Sequence, residues 1–168
     1  MAERKTVRKW FWVWDFEKEE RWLNEMALDG WVLADVGWCR YTFERCEPGE
    51  YGVRLEMRPN DEGYVQFMQE TGAEFVGRVL MWIYFRKKAA DGPFDLFSDI
   101  DSKISHLDKI SKMLAAIGGA NLLIGLVNTF NPSGTGWVNL ICATLLMYGL
   151  GRIHGKKEAL ELERQLHE

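Results

Sequence analysis

The feature that most constrains this chain is the long stretch 113–151, which contains no Asp, Glu, Lys, Arg or His. Turn-forming residues, NPSGTG at 131–136, separate an apolar run at 113–130 from a second at 137–153, which is interrupted only near its end by Arg152. As a helix, each run spans roughly 25–27 Å, slightly less than the ~30 Å hydrocarbon core of a bilayer. Lys112 and Arg152 can extend to the head groups, and Trp137 lies where an interfacial tryptophan is expected. The stretch therefore predicts a transmembrane helical hairpin.

A buried helical hairpin of a soluble protein is the alternative, since Asn121, Asn128 and Asn139 would be costly in lipid. However, Gly118 and Gly125 are spaced by about two helical turns, as are Asn121 and Asn128, which places each pair on one helix face. Small residues and amides on one face are what helices use to pair within a bilayer. Because the rest of the chain has little apolar sequence left to cover a soluble hairpin, we favour the membrane interpretation.

The orientation of the predicted hairpin follows from the basic residues beside it. Three lysines precede the first run, three basic residues end or follow the second, and the intervening loop has none: Lys103, Lys109, Lys112, Arg152, Lys156 and Lys157. By the positive-inside rule, both termini are expected in the cytoplasm. The sequence thus predicts a multi-pass protein of the cell membrane (inner or plasma membrane).

Residues 1–92 predict a cytosolic α+β domain in which the order strand–helix–strand–strand occurs twice. Alternating and helical apolar spacings predict strands at 7–14, 31–38, 40–45, 51–57, 74–79 and 81–87, and helices at 17–29 and 61–71. Aligning Glu20 with Glu62 also superposes Met26 on Met68, Gly30 on Gly72 and Phe43 on Phe85. We therefore expect a tandem repeat that forms a two-layer, mostly antiparallel sheet structure.

The stretch KWFWVWDF, residues 9–16, predicts a row of tryptophans within the first strand. The same alignment lays Trp10, Trp12 and Trp14 over polar positions of the second half, on the sheet face away from the helices. The candidate ligand-binding residues on this face are Trp10, Trp12, Trp14, Trp38, Trp82, Tyr84, Arg40, Arg54 and Arg86. Stacked aromatic rings beside charges suit a flat or cationic small molecule. The alternative is internal packing, in which the segment 93–97 or a second copy of the chain covers the face.

Residues 93–112 predict an amphipathic connector helix that leads into the first apolar run. Ser98 is expected at its N-cap with Asp101 at the third helical position, a relative of the capping box. The apolar positions Ile100, Ile104 and Leu107 follow at helical spacing. Residues 154–168 predict a short cytosolic tail helix, expected to be solvated.

Composition excludes several classes of function. The formal net charge of −4 gives no reason to expect direct binding of nucleic acid. The three cysteines are scattered along the chain, and the three histidines all lie outside the N-terminal domain, so we expect no metal site and no cofactor. The residues are Cys39, Cys46, Cys142, His106, His154 and His167. No nucleophile has a visible base partner and no phosphate-binding glycine loop is present. We therefore do not expect an enzyme.

Several separated motifs resemble the family catalogued as domain of unknown function 2812. They are WDFEKEERWLNEMALDGWVL, YTFER followed by EPGEY, WIYFRKK and DGPFDLFSDIDSKI, and together they extend over about residues 5–110. The resemblance implies a small bacterial protein with C-terminal membrane helices. It also implies a regulatory setting, because genes of this family often lie beside PadR-like transcriptional regulators. It implies no catalytic residues.

Two functional hypotheses follow. In the first, the chain is a membrane-anchored sensory or adaptor module whose cytosolic domain binds a small amphipathic ligand or a regulatory protein, such as a PadR-like regulator. In the second, it is a structural or accessory subunit of a membrane complex such as a transporter. Homo-oligomers are compatible with both hypotheses.

Overall fold

The structure is a computed structural model that describes residues 3–97, 99–130 and 136–167. The chain divides into two compact units, residues 1–96 and residues 97–168. Within the described ranges, the strands and the two shorter α-helices lie in the first unit, and the two long α-helices lie in the second. The predicted α+β class, followed by two long apolar helices that form a hairpin, is confirmed.

The first unit runs through strand–helix–strand–strand twice. The first half consists of β1 (Arg4–Arg8), α1 (Phe16–Leu28), β2 (Trp31–Gly37) and β3 (Arg40–Arg45). The second consists of β4 (Tyr51–Met57), α2 (Glu62–Glu70), β5 (Glu74–Val79) and β6 (Trp82–Lys88). Short 3-10 turns at Val13–Asp15 and Ala89–Asp91 precede α1 and follow β6. Each half forms its own antiparallel three-stranded sheet, in the orders β1-β3-β2 and β4-β6-β5.

The two halves agree in irregular features as well as in topology. A bulge interrupts β2 between Leu33 and Asp35, and a bulge interrupts β5 between Phe75 and Gly77, at the positions equivalent under the predicted alignment. Each helix is followed by a glycine in the left-handed region, Gly30 at φ 81° and Gly72 at φ 88°. Matching bulges and matching turns at the same offset support the predicted tandem repeat.

The predicted strand 7–14 is wrong beyond Arg8. The last backbone bond of this ladder joins Lys9 N to Cys39 O at 3.2 Å, and Trp38 and Cys39 form the turn that connects β2 to β3. No strand residue is therefore available opposite Trp12 or Trp14 in the described part of the chain, and the backbone turns into the 3-10 segment instead.

The correction changes how the halves align. In each half the first strand pairs with the last: Arg4 pairs with Glu44, and Val53 pairs with Arg86. Glu44 and Arg86 are 42 residues apart (86 − 44), whereas Arg4 and Val53 are 49 apart (53 − 4), so β1 and β4 are further apart along the sequence than β3 and β6. A longer connector and a longer helix in the first half account for the difference. The predicted superposition of Trp10, Trp12 and Trp14 on β4 therefore fails.

The core of the unit surrounds the two central strands. Phe43 on β3 and Phe85 on β6 are fully buried, at the equivalent positions that the repeat predicts. Phe85 packs with Met68, Ala73 and Ile83, and Phe94 and Leu96 lie against this cluster. The segment 93–97 thus helps to cover the α2 side of the second sheet, and not the tryptophans as the packing alternative supposed.

Side chains of α1 occupy the outer edge of β4. Asn24 donates from Nδ2 to Val53 O at 2.8 Å and accepts from Val53 N at Oδ1 at 2.9 Å, which reproduces a strand partner's two bonds. Leu55 N donates to Glu20 Oε2 at 3.2 Å. An edge strand with unpaired N–H and C=O groups is a template for unwanted pairing, and these contacts close it.

The second unit consists of α3 (Ile100–Thr129) and α4 (Gly136–His167), an antiparallel pair. The predicted connector helix and the first apolar run form one continuous helix, and so do the second run and the tail. Asp99 is the N-cap of α3, since its side chain accepts from Ser102 N at 2.7 Å. The predicted cap Ser98 and most of the predicted loop 131–136 lie outside the described residues.

Glycines and ion pairs hold the two helices in register. A Cβ on Gly118 would lie 2.6 Å from Met147 Cε, and one on Gly125 would lie 2.8 Å from Leu140 Cδ2. The charged ends are also paired: Lys157 Nζ lies 3.3 Å from Asp108 Oδ1, and Arg164 Nη1 lies 2.8 Å from Asp101 Oδ1. These ion pairs place the tail alongside the start of α3, and none of its side chains from 154 to 166 is buried.

Both helices are long and apolar enough to cross a membrane. Large apolar side chains are exposed over much of their length, for example Leu123, Ile124, Val127, Phe130, Trp137, Ile141 and Leu145. Exposed apolar surface of this kind is what lipid requires of a spanning helix.

Candidate binding surface

Four of the predicted site residues form a continuous aromatic row. Trp12 and Trp14 are stacked, with ring centroids 4.9 Å apart and planes 5° apart. Trp10 packs edge-on against Trp12 at 5.4 Å and against Trp38 at 5.9 Å. Trp14 is buried, whereas Trp12, Trp10 and Trp38 are 40%, 52% and 65% exposed. We call Trp10, Trp12, Trp14 and Trp38 the tryptophan row.

Backbone geometry brings this row together. β1 ends beside the β2–β3 turn, so Trp10 follows the last paired residue of one strand while Trp38 begins the turn beside it. Cys39 completes the turn at φ 53°, a left-handed conformation that few non-glycine residues adopt. The 3-10 segment then carries Trp14 into the core ahead of α1.

The equivalent turn of the second half lies at the same end of the unit. β2 and β5 run side by side in one direction: Gly77 lies against Val36, and Arg86, the strand partner of Glu74, donates to Leu33 O at 3.1 Å. The β5–β6 turn therefore extends the apolar surface with Leu80, 73% exposed, and Met81.

Positive charge accompanies the exposed rings. Arg8 and Arg40 are direct cross-strand partners, a like-charge pairing that destabilises a sheet. Arg40 is balanced by Asp35 at 3.1 Å. Arg8, Lys9 and Arg78 form no ion pair with any carboxylate among the described residues. This end of the unit thus has a local positive excess in a chain of net charge −4.

The other predicted site residues lie elsewhere, and the predicted single aromatic face is wrong. Trp82 packs on Phe16 at 5.4 Å. Tyr84 is buried beneath α1. Arg86 is held by Glu44 at 2.6 Å and by Glu74 at 2.7 Å. The face of the second sheet that carries Trp82, Tyr84 and Arg86 is thus covered by the first half of the same domain.

Tyr84 belongs to a buried polar cluster centred on Glu19. Tyr84 Oη donates to Glu19 Oε1 at 2.7 Å and Tyr41 Oη donates to the same oxygen at 2.8 Å. Burial raises the pKa of Glu19 above its ordinary value, although both hydrogen bonds oppose the shift. Burial, and then the charge of Glu19, raise the pKa of both tyrosines. The cluster joins the two halves and is closed to solvent.

Arg54 lines a separate cavity of about 370 Å³ at the capped edge of β4. Its other lining residues are Asn24, Gly52, Lys87, Ala89, Gly92, Pro93 and Phe94. Arg54 is occupied by Glu20 at 3.6 Å and by Asp95 at 3.4 Å. The cavity is wide open to solvent and one of its two cations is already neutralised, so the tryptophan row is the better candidate site.

Sequence reasoning missed Arg8, Lys9, Leu80 and Met81 at this site. A signal for the last two was available, because the alignment of the two halves lays the turn residues Trp38 and Cys39 over them. Arg8 and Lys9 required knowledge of where β1 ends. Within the described ranges, no group of three or more His, Cys, Asp or Glu side chains could hold a metal ion.

Comparison with known proteins assigns the chain to a family. The model of the family described as "Protein of unknown function (DUF2812)" matches residues 15–118, more than half of the chain, and the chain belongs to this family. The matched range begins just before α1 and ends within α3, so it contains Trp38 but not Trp10 or Trp12. No curated protein matches the chain. No solved structure matches it either.

Proposed function

We propose that this protein is a membrane-anchored recognition module in which α3 and α4 span the cell membrane twice and both termini lie in the cytoplasm. The exposure of large apolar side chains along both helices supports the anchor. The orientation, with both termini in the cytoplasm, is supported by the basic residues that lie before 113 and from 152 onward, and by the absence of charge between 113 and 151.

The cytosolic domain acts by binding and not by catalysis. The observation that carries this proposal is the tryptophan row, whose three exposed indole rings lie at the strand end that also carries Arg8, Lys9 and Arg40. Exposed aromatic clusters of this kind mark interaction sites. The occupant is an amphipathic ligand or a regulatory protein, for which a PadR-like regulator is a candidate. The protein thereby serves as a sensor or adaptor at the membrane.

A second candidate is an accessory subunit of a membrane complex, and the outer surface of the hairpin favours it. At Gly119, Gly151 and Gly155, nothing outside the backbone of the same helix lies within 4 Å of where a Cβ would be. Small residues on an outward helix surface permit close approach of another helix.

Membrane insertion is tested by extracting membranes with alkaline carbonate and by labelling cysteine. We expect the full chain to remain in the pellet. In a variant without Cys39, Cys46 and Cys142, Ser133→Cys is expected to react with an impermeant maleimide from outside intact cells. A cysteine at position 168 is expected to react only after lysis. A chain released by carbonate, or labelling at 168 in intact cells, contradicts the proposal.

Affinity purification of the full chain from native membranes distinguishes the two functions. Recovery of a transcriptional regulator supports the adaptor, and recovery of a permease supports the accessory subunit. The matched control is the Trp10→Ala/Trp38→Ala variant, which removes half of the tryptophan row. We expect it to lose a regulator bound at the row but to keep a permease bound through the hairpin.

A further inference from the structure

We infer that the tryptophan row docks onto the anionic lipid surface of the membrane that the hairpin spans, so that the ligand of the cytosolic domain is the bilayer itself. This inference rests on the proposed membrane anchor, and of the two proposed occupants it selects an amphipathic ligand, the lipid of the bilayer, over a regulatory protein.

The arrangement of the rings disfavours a small aromatic ligand. Trp12 and Trp14 already stack on each other at 4.9 Å, and Trp10 contacts both Trp12 and Trp38. No gap of the kind that holds a flat molecule remains between these rings. The exposed members lie on the β2–β3 turn and on the connector after β1, and they are 40%, 52% and 65% exposed, whereas small-molecule sites are concave.

The same arrangement suits a lipid interface. Tryptophan is enriched at membrane surfaces, because its ring is apolar and its N–H remains hydrated at the level of the head groups. Trp38 and Leu80 begin the two hairpin turns at one end of the domain, and they are among its most exposed large apolar side chains. Two apolar turns at one end allow the domain to insert both at shallow depth.

Charge complementarity selects an anionic surface. Arg8 has no carboxylate partner among the described residues and faces Arg40 across the strands. Lys9 Nζ lies 4.3 Å from the Trp22 ring and Arg78 donates to Arg58 O at 3.1 Å, so these two side chains are held by neutral groups and keep an uncompensated charge. The carboxylates nearest to these cations in sequence already pair with other basic side chains: Glu3, Asp15 and Glu74. Phosphate groups of anionic lipids would screen the like charges of Arg8 and Arg40 from each other and neutralise the excess.

The covalent connection favours the same occupant. Residues 97–99 join the domain to α3, and Lys112, the last charge before the apolar run, lies about 20 Å along that helix. A tether this short keeps the domain at a high effective concentration relative to the lipid surface, so weak contacts are sufficient for docking.

The test uses the full chain in lipid nanodiscs, either of zwitterionic phosphatidylcholine alone or with a third of anionic phosphatidylglycerol. Hydrogen–deuterium exchange of peptides covering 8–14 and 37–41 reports docking. We expect slower exchange of both peptides in the anionic discs. Arg8→Gln is expected to lower the docked-to-undocked ratio about fivefold, and Trp38→Ala is expected to lower it at least as much.

Matched controls come from the opposite end of the same hairpin, where Trp31 is the strand partner of Arg45 and its ring lies 4.7 Å from that guanidinium. Trp31→Ala and Arg45→Gln are expected to leave the lipid effect unchanged. Exchange of the Phe43 peptide in every variant verifies that the sheet is folded.

Equal exchange in the two kinds of disc overturns lipid docking and leaves the membrane anchor intact. Lipid protection that persists in Trp38→Ala also overturns it, as does protection that needs an added protein or a soluble aromatic amphiphile. A chain that does not enter nanodiscs at all refutes the anchor, and the docking inference with it.

Discussion

At the scale of single residues, Glu19 connects the two sheets of the first unit through one carboxylate oxygen. Its Oε1 accepts from two tyrosines that come from different sheets, Tyr41 on β3 and Tyr84 on β6. Replacing the carboxylate by alanine leaves two buried hydroxyls unpaired, at about 1–3 kcal/mol for each. Glu19→Gln retains an acceptor oxygen at the same place and is expected to cost much less. Denaturant unfolding of the full chain in detergent, followed by near-ultraviolet circular dichroism, measures both.

Glu19 also makes stability depend on pH. Because burial raises its pKa in the folded state, the stability linked to its protonation is fully present below the unfolded-state pKa, and it is lost as pH rises through the raised value. Unfolding curves recorded from about pH 4 to pH 8 should therefore lose this contribution in the wild type relative to Glu19→Gln. Parallel pH profiles for the two proteins would show that Glu19 is not the titrating group.

At the scale of secondary structure, the cap that Asn24 places on β4 should be costly to remove. Asn24→Ala breaks both bonds to Val53 and is expected to lower the free energy of unfolding by about 1–3 kcal/mol. It also exposes a strand edge, so we expect concentration-dependent self-association in light scattering. Gln66→Ala is the matched control, because it removes an exposed helix amide that bonds Glu70 on the same helix. If both variants are equally stable and monodisperse, α1 does not protect the edge.

Much of the element order could be predicted from the sequence, because apolar spacing records which side of an element is buried. The strand prediction from apolar spacing failed at residues 9–14 for a specific reason. Trp10, Trp12 and Trp14 alternate like strand residues, but a strand also needs a partner, and β3 begins only at Arg40. Single-sequence periodicity contains no information about where the neighbouring strand ends. Trp82, Tyr84 and Arg86 were misplaced for a different reason, because the first half of the domain covers the sheet face that carries them, and periodicity does not show what covers a face.

At the scale of the whole molecule, charge predicted where the apolar helix surface ends but not where the helices end. Lys112 and Arg152 bound the uncharged stretch, yet α3 already begins at Ile100 and α4 continues to His167. A charged residue favours water without breaking a helix, and the ion pairs of Asp101 and Asp108 hold the extended ends together. The family model likewise ends within α3, at Gly118.

Because the two helices are in contact at some glycines and not at others, replacing two nearby glycines of α3 by alanine is expected to shift the thermal midpoint in opposite directions. A Cβ on Gly125 would lie 2.9 Å from Leu140 Cγ and 3.1 Å from its backbone N, whereas a Cβ on Gly119 meets nothing within 4 Å. Gly125→Ala is expected to lower the thermal midpoint of the chain in detergent. Gly119→Ala is expected to raise it slightly, because alanine is the better helix former by roughly 1 kcal/mol. Equal shifts for the two variants would show that Gly125 is not a close-contact position.

The antiparallel helix pair also restricts how the chain length can vary. Every step forward along α3 is matched by an equal step back along α4. The contacting pairs are Asp101 with Arg164, Asp108 with Lys157, Gly118 with Met147 and Gly125 with Leu140. One residue inserted within this interval would rotate everything beyond it by about 100° and separate ion pairs from glycine contacts. Insertions or deletions in α3 should therefore be tolerated only when α4 changes by a compensating length, so the two helices are expected to lengthen and shorten together in descendants of this gene.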